Sequence, residues 1–278
     1  MKILLVGSNA ALSENLIPTL SEKYEVIKAA RKNADIYLDL EKDVNNIPVN
    51  VDVIVNVAAY FDTDTSNVIK AYETNTVGVL KLCMEAKKQK IKHFVQISSA
   101  SAFVQSDSPY YTQYAISKRH ADEIVEHFCN VNQIPLTVIR PSQIYGASDS
   151  FRKNQPFFYA MIDRAECGED ITIYGAHNPQ RNYIHAEDVA CSIYEVIRQK
   201  IEGVFSCIYP HDTSFAEIAE TIFGVYDSKN KIVFYKEQKD IPDNIFEKDL
   251  RLYERINRFP QVDLKTGIKK IRDFRNKE

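Results

Sequence analysis

The chain has 278 residues, 45% of them apolar and 26% charged, with a formal net charge of −3. That length can bury the core of one large α/β domain, alone or with a smaller companion. The slightly acidic balance offers no electrostatic attraction to nucleic acid or to an anionic membrane, so the expected partner is a small molecule or a protein.

Cys83, Cys129, Cys167, Cys191 and Cys207 are scattered, with no CxxC pair. Their odd number leaves a disulfide framework incomplete and points to a reducing cytoplasm. The N-terminus enters a short apolar strand at once, without a leader pattern, and no apolar run approaches the ~20 residues of a membrane helix. No metal site is expected.

From residue 2 to about 140, short β-rich apolar runs alternate with longer amphipathic stretches, the pattern of a parallel sheet covered by helices. The strand at 3–6 runs into Gly7-Ser8-Asn9-Ala10-Ala11-Leu12-Ser13 and a helix over about 10–22, so a turn and a helix N-terminus meet where a phosphate could sit. A dinucleotide fingerprint puts three glycines here, for the turn, for approach to pyrophosphate and for helix packing. Gly7 remains, Ala10 and Ser13 being small substitutes, and Gly7, Asn9, Ala10 and Leu12 are the candidate cofactor contacts. The strand at 25–29 is followed by Arg31-Lys32. An acid at that place would accept from an adenine ribose and an arginine would take a 2′-phosphate, so Arg31, unless it is only a solvated loop charge, tilts the cofactor from NAD towards NADP. The strand at 36–38 closes on Asp39-Leu40, candidates for the adenine side.

A strand at 51–57 ends in Val57-Ala58-Ala59, a helix is predicted over about 64–89, and a strand at 93–97 ends in Ser98-Ser99-Ala100-Ser101. Those hydroxyls stand at the carboxyl edge of a parallel strand, where open α/β sheets bind ligands. A helix over about 111–131 follows. YxxxK occurs three times among the 16 tyrosines, at Tyr24/Lys28, Tyr114/Lys118 and Tyr235/Lys239, so context has to choose. The first lies across a strand and the third precedes a proline-bearing loop. Tyr114 and Lys118 open a helix and share a stripe with Ala121, Val125 and Phe128. Lys118 alone could be a snorkelling side chain; snorkelling explains neither Tyr114 nor Ser99. Hydride chemistry at a carbinol or ketone needs an acid/base, a donor to the oxygen, and a cation that lowers the acid's pKa from about 10 towards neutrality. Tyr114, Ser99 and Lys118 are those three parts, and Lys118 could also hold a nicotinamide ribose.

A strand at 136–139 leads into Arg140-Pro141. After Gly146 the alternation weakens and Pro156, Pro179, Pro210 and Pro242 punctuate the chain. A helix over about 187–199 and a strand at 204–208 could return to the sheet, whereas helices near 246–257 and 264–275 would belong to a smaller lobe. An Asp before an apolar run makes Asp188 an N-cap candidate.

Together these residues resemble the extended short-chain dehydrogenase/reductase family, in its nucleotide-sugar epimerase, dehydratase and reductase branch, over about residues 3–200. The resemblance is carried by Val57-Ala58-Ala59, by Asn75-Thr76-Val77-Gly78, by Ser98-Ser99-Ala100-Ser101 and by Tyr114-Ala115-Ile116-Ser117-Lys118. It continues in Arg140-Pro141-Ser142-Gln143-Ile144-Tyr145-Gly146 and in the stretch from Arg181-Asn182-Tyr183 to Asp188-Val189-Ala190. It implies a Rossmann-like, doubly wound parallel α/β sheet over 1–146 plus about 183–210, with a smaller mixed α/β substrate lobe of about 147–182 and 211–278. By the same resemblance Ser99, Tyr114 and Lys118 are catalytic. The cofactor meets Ala58, Ala59, Asn75, Tyr114, Lys118 and Pro141 besides the contacts named above. Ser99, Ser101, Gln143 and Arg181 meet a nucleotide-diphosphate sugar, Arg181 at its diphosphate, where a guanidinium fork matches phosphate oxygens. Helices about 64–89 and 111–131 often pair across a homodimer in the family. Dehydratases of the branch carry an acid pair beside the serine, where Ala100 and Ser101 stand here, so dehydration is disfavoured. The implied activity is NAD(P)-dependent hydride transfer by a 4-epimerase or 4-ketoreductase. The alternative is a non-catalytic NAD(P)- or nucleotide-sugar-binding sensor of the same fold.

Overall fold

A computed structural model describes residues 1–62 and 64–277. The elements run β1 (Lys2–Val6), α1 (Ser13–Ser21), β2 (Glu25–Ala30), β3 (Ile36–Tyr37), β4 (Val53–Asn56), α2 (Val68–Tyr72), α3 (Gly78–Lys88), β5 (His93–Ile97), α4 (Gln113–Val131) and β6 (Leu136–Pro141). They continue as β7 (Gln143–Tyr145), α5 (Pro156–Glu166), β8 (Ile171–Tyr174), β9 (Gln180–Arg181), β10 (Tyr183–His185), α6 (Ala186–Gln199), β11 (Gly203–Cys207), β12 (Thr213–Ser214), α7 (Phe215–Tyr226), β13 (Ile232–Tyr235), α8 (Arg251–Ile256) and α9 (Leu264–Arg275).

Met1–Pro141, Val189–Cys207 and Asp249–Arg258 form one compact unit, and Ser142–Asp188, Ile208–Lys248 and the chain from Phe259 onward form a second. The first holds a sheet of order β11-β6-β5-β4-β1-β2-β3 with every pair parallel, a doubly wound Rossmann-like arrangement. Such a sheet is covered on both faces, which is why β1 reads as an unbroken apolar run. Leu4 and Val6 join a cluster with Val79, Leu82, Cys83 and Ala86 of α3 and Val125 and Cys129 of α4. The alternate residues Ile3 and Leu5 are equally buried. Full burial of each such aliphatic side chain stabilises by roughly 1.5–3 kcal/mol.

The helix predicted over 64–89 forms as one continuous but irregular helical stretch. A 3₁₀ turn at Thr65–Asn67 and α2 lead into a π turn at Glu73–Val77 before α3 begins. At Gly78 a Cβ would stand 2.6 Å from the Cβ and carbonyl oxygen of Leu40, so only glycine lets the helix lie this near the β3 loop. α4 starts on Thr112, whose side chain accepts from the Ala115 N–H.

The second unit contains the pairs β7 with β10, β12 with β9 and β13 with β8, together with α5, α7 and α9. Ser214 and Glu217 close a reciprocal capping box at the start of α7, and Asp263 caps α9. Arg275 gathers Asp149, Asp163 and Glu166 at 3.0, 3.0 and 2.6 Å.

Three boundaries differ from those expected. Residues 142–146 and 183–188 fall in the second unit, because β7 and β10 pair with each other. Residues 208–210 fall there too. The helix expected near 246–257 in the smaller lobe is α8 of the first unit: Leu252 and Tyr253 are buried, the Tyr253 hydroxyl reaches Cys207 Sγ at 3.6 Å, and Gln199 Nε2 donates to the Ile256 carbonyl at 3.0 Å.

Candidate active site

The strand order reverses between β1 and β4, and a crevice outside the carboxyl ends opens at such a switch point. A cavity of about 500 Å³ lies there, walled by the ends of β1 to β4. Eight expected cofactor residues line it: Gly7, Asn9, Ala10, Arg31, Asp39, Leu40, Ala58 and Ala59.

Gly7 leaves β1 at φ +86°, and a Cβ on it would lie 2.6 Å from the Ala58 nitrogen. The glycine therefore serves both turn geometry and close approach to the β4 end. Its N–H donates to the Ala29 carbonyl at 2.9 Å, and its own carbonyl accepts from Ala10 N–H at 2.8 Å and from Ser13 Oγ at 3.0 Å. Ser13 thus occupies the helix-packing position of the fingerprint with its hydroxyl satisfied, although fully buried. Asn9 Nδ2 donates to the Lys32 carbonyl at 2.5 Å and ties this loop to the end of β2.

Glu41, which the sequence reading passed over, lines the same cavity. Its Oε1 lies 3.6 Å from Arg31 Nη1 and 4.0 Å from Lys70 Nζ, and accepts from Thr74 Oγ1 at 3.3 Å. Tyr60 and Thr74 complete the wall. Only their spatial approach reveals these residues, since they sit outside any recognisable spacing.

Leu12 and Pro141 are absent from the lining, as is Asn75. Asn75 is fully buried, accepting from Tyr60 N–H at 2.8 Å and donating to Tyr60 O at 2.9 Å and Ser117 Oγ at 3.0 Å. Its amide ties the Tyr60 backbone to Ser117, a positioning arrangement. Thr76 Oγ1 adds a bond to the Ser117 carbonyl at 2.9 Å, and the π turn pins the first turns of α4.

Ser99 follows β5 in an extended conformation, and its Oγ accepts from the Ser101 N–H at 3.1 Å. The Ser99 hydroxyl lies close enough to the Tyr114 phenol to favour its ionised form. Lys118, buried one turn along α4, donates to the Ile97 carbonyl at 3.1 Å, its Nζ 5.9 Å from the centre of the Tyr114 ring. The three expected catalytic side chains therefore converge. Phe61 meets the Tyr114 ring edge-on at 4.9 Å. Arg119 donates to the carbonyls of Ala102 and Val104 at 2.7 and 2.6 Å and fixes the loop after Ser99. Asp122 is also on the buried face of α4, its Oδ2 2.6 Å from Arg140 Nε.

The electrostatics differ from the expectation that Lys118 brings Tyr114 towards neutrality. Burial pushes the Tyr114 phenol up to about 12, the Ser99 hydroxyl only partly offsetting it and the Asp122 charge adding to it. Burial lowers the Lys118 amine to about 8, against the Asp122 carboxylate, which raises it. The physical reason is placement: the amine is bonded to a backbone carbonyl beneath the ring face instead of to the phenol oxygen.

In the second unit Arg181 is buried, donating to the carbonyls of Gln180 and Pro242 at 2.8 and 2.9 Å, with its guanidinium 4.6 Å from the Phe215 ring centre. Gln143 Nε2 contacts Gln155 Oε1 at 3.4 Å. Ser101, back in the first unit, is half-buried. Asp188 does not cap α6 as expected. It lies inside the first turn and accepts from the Gln261 and Val262 N–H groups at 2.8 and 3.0 Å, while His185 Nδ1 accepts from Glu187 N–H at 3.2 Å.

Among the described residues no helix is long and apolar enough to cross a membrane, and no group of three or more His, Cys, Asp or Glu side chains is placed to hold a metal ion. A dTDP-D-glucose 4,6-dehydratase of Dictyostelium discoideum is 24% identical over 63% of this chain and 45% of its own length. The chain thus spans under half of that relative. A GDP-L-fucose synthase of Escherichia coli is 24% identical over 73% of this chain and 68% of its own. The crystal structure of a UDP-glucose 4-epimerase with UDP-glucose, from Thermotoga maritima, shares the fold at a TM-score of 0.82, covering 100% of this chain and 99% of that one at 20% identity. Residues 3–207 match a single family throughout, and the chain belongs to the NAD-dependent epimerase/dehydratase family.

Proposed function

We propose that this chain transfers hydride at C4 of a nucleotide-activated sugar with a nicotinamide cofactor, as a 4-epimerase or a 4-ketoreductase. The observation that carries the reading is the meeting of the Ser99 hydroxyl, the Tyr114 phenol and the Lys118 amine at the carboxyl edge of the sheet.

The Gly7 cradle, closed by Ala58 at a spacing only a glycine allows, and the cavity beside it suit a dinucleotide. Bound there, the cofactor supplies the acceptor and donor of hydride; proton handling falls to the chain. At neutral pH the Tyr114 phenol keeps its proton, the state needed to protonate a C4 ketone oxygen while Ser99 donates a second hydrogen bond to it. That state suits the reducing direction, since oxidation needs a phenolate that burial disfavours. Lys118 is the candidate holder of the nicotinamide ribose. Gln143 and Arg181 are the candidates for the sugar and its diphosphate. Arg31, mostly exposed at the cavity wall, supports NADP over NAD. Ala100 and Ser101 carry no carboxyl to expel a hydroxyl, which disfavours dehydration. A reducing cytoplasm and a homodimer across α2, α3 and α4 belong to the same proposal, supported by free cysteines and by exposed Ile69, Met84 and Val131.

The test is to incubate the chain with NAD⁺ or NADPH and with UDP- and dTDP-hexoses or their 4-keto forms, and to separate the C4 products by chromatography. Product is expected, and Tyr114→Phe is expected to lower turnover by about 10²–10⁴-fold while cofactor binding persists. Cofactor binding without product from any of these sugars would favour the sensor reading, and undiminished turnover in Tyr114→Phe would remove that residue's role.

A further inference from the structure

We infer that Glu41 decides how strongly the cavity distinguishes a 2′-phosphate from a 2′-hydroxyl; this rests on the dinucleotide reading above. Arg31 follows β2, where a cationic fork can take a 2′-phosphate. Its nearest anion in the cavity wall is Glu41, at 3.6 Å.

Glu41 is not a loose surface acid. Thr74 Oγ1 donates to its Oε1 and Lys70 approaches the same oxygen, so the carboxylate is held from the α2 side, with a side-chain exposure of 26% against 62% for Arg31. The more buried, hydrogen-bonded partner is the anion and the more exposed one is the cation.

A 2′-phosphate brings nearly two negative charges. For Arg31 to bind it, the guanidinium has to leave Glu41, and the phosphate then stands beside a carboxylate that Thr74 and Lys70 keep in place. A ribose 2′-hydroxyl meets no such opposition, since it can donate to Glu41 while the ion pair stays closed. Glu41 therefore offsets the attraction of Arg31 for NADP and brings the affinities for the two cofactors close together. Asp39, also in the lining, accepts from the Glu41 N–H at 3.2 Å and from the Tyr37 hydroxyl at 3.4 Å.

Fluorescence titration of the full chain with NADPH and with NADH, in the wild type, in Glu41→Gln and in Arg31→Gln, tests this. Glu41→Gln keeps the side-chain shape and the Thr74 hydrogen bond while removing the charge. It is expected to tighten NADPH by about fivefold at low salt, to leave NADH within about twofold, and to lose most of the gain at high salt. Arg31→Gln is expected to weaken NADPH alone. An NADPH-to-NADH affinity ratio unchanged in Glu41→Gln, with both cofactors bound, would overturn the role of Glu41 and leave the dinucleotide site intact. Failure of the folded wild type to bind either cofactor would overturn the dinucleotide reading itself.

Discussion

Tyr114 and Lys118 occupy one spacing and respond to burial in opposite senses. Desolvation favours the neutral form of each, so the phenol rises to about 12 and the ammonium falls to about 8. Asp122, a further turn along the buried face of α4, resists the second shift because an anion favours the protonated amine. If turnover needs Lys118 charged, kcat/KM of the free enzyme should fall as pH rises through about 8. Asp122→Asn removes the supporting charge and should move that fall to lower pH, as read from the pH profile. A uniform loss of activity at every pH would instead assign Asp122 a purely structural part. The convergence of Ser99, Tyr114 and Lys118 was legible from a serine-ended strand and a helix bearing YxxxK. The direction of the Tyr114 shift was not, since spacing places an amine one turn from a phenol without saying which atom it bonds. Nor was the part of Asn75, whose amide is consumed by Tyr60 and Ser117.

Elements show the same division. β1 and β4 were the most readable because strands buried on both faces leave apolar runs bounded by turn residues, whereas β2 and β3 towards the sheet edge are more exposed. The stretch at 64–89 was legible as helical but its π turn was not, because such a turn preserves helical composition and only shifts the phase of the faces, something amphipathic spacing over so short a span does not register. The glycine loop looked damaged in sequence, yet the two positions that lost glycine are accommodated: Ser13 turns its hydroxyl onto the Gly7 carbonyl, and Ala10 closes the turn through its N–H. Gly7 has no such latitude. Gly7→Ala combines a left-handed backbone with a Cβ 2.6 Å from the Ala58 nitrogen, and is expected to destabilise the first unit by at least ~1–3 kcal/mol and to abolish cofactor binding. Thermal melting with and without NADH measures both effects. A variant with unchanged Tm and binding would show that the β1 and β4 ends can separate.

For the chain as a whole, acid is the condition both units should feel. His93 in the first unit and His185 in the second are buried, and burial lowers each to about 4 from the ordinary 6.5, opposed only in part by the Ile201 carbonyl at His93 and by Glu187 at His185. The unfolded chain takes up protons at these histidines before the folded chain does, so their contribution is complete above about pH 6.5 and is lost as pH falls towards 4. The loss should reach up to ~3 kcal/mol per histidine, seen as a lower urea midpoint at pH 4.5 than at pH 7. His93→Gln should flatten that dependence, and an unaltered slope would place the acid sensitivity elsewhere. The division of the chain between units was the least legible feature. Where a strand pairs depends on partners far away in sequence: β7 joins β10, and α8, more than forty residues after β11, returns to pack on it. Composition after Gly146 announces a change of architecture but not these returns. Asn75 gives the first unit one last property. A single amide clasps the backbone of the cavity wall at Tyr60 on one side and α4 at Ser117 on the other, so the spacing between that wall and the helix that carries Tyr114 is gauged by one side chain. Any lengthening between Tyr60 and Asn75 would have to preserve that gauge.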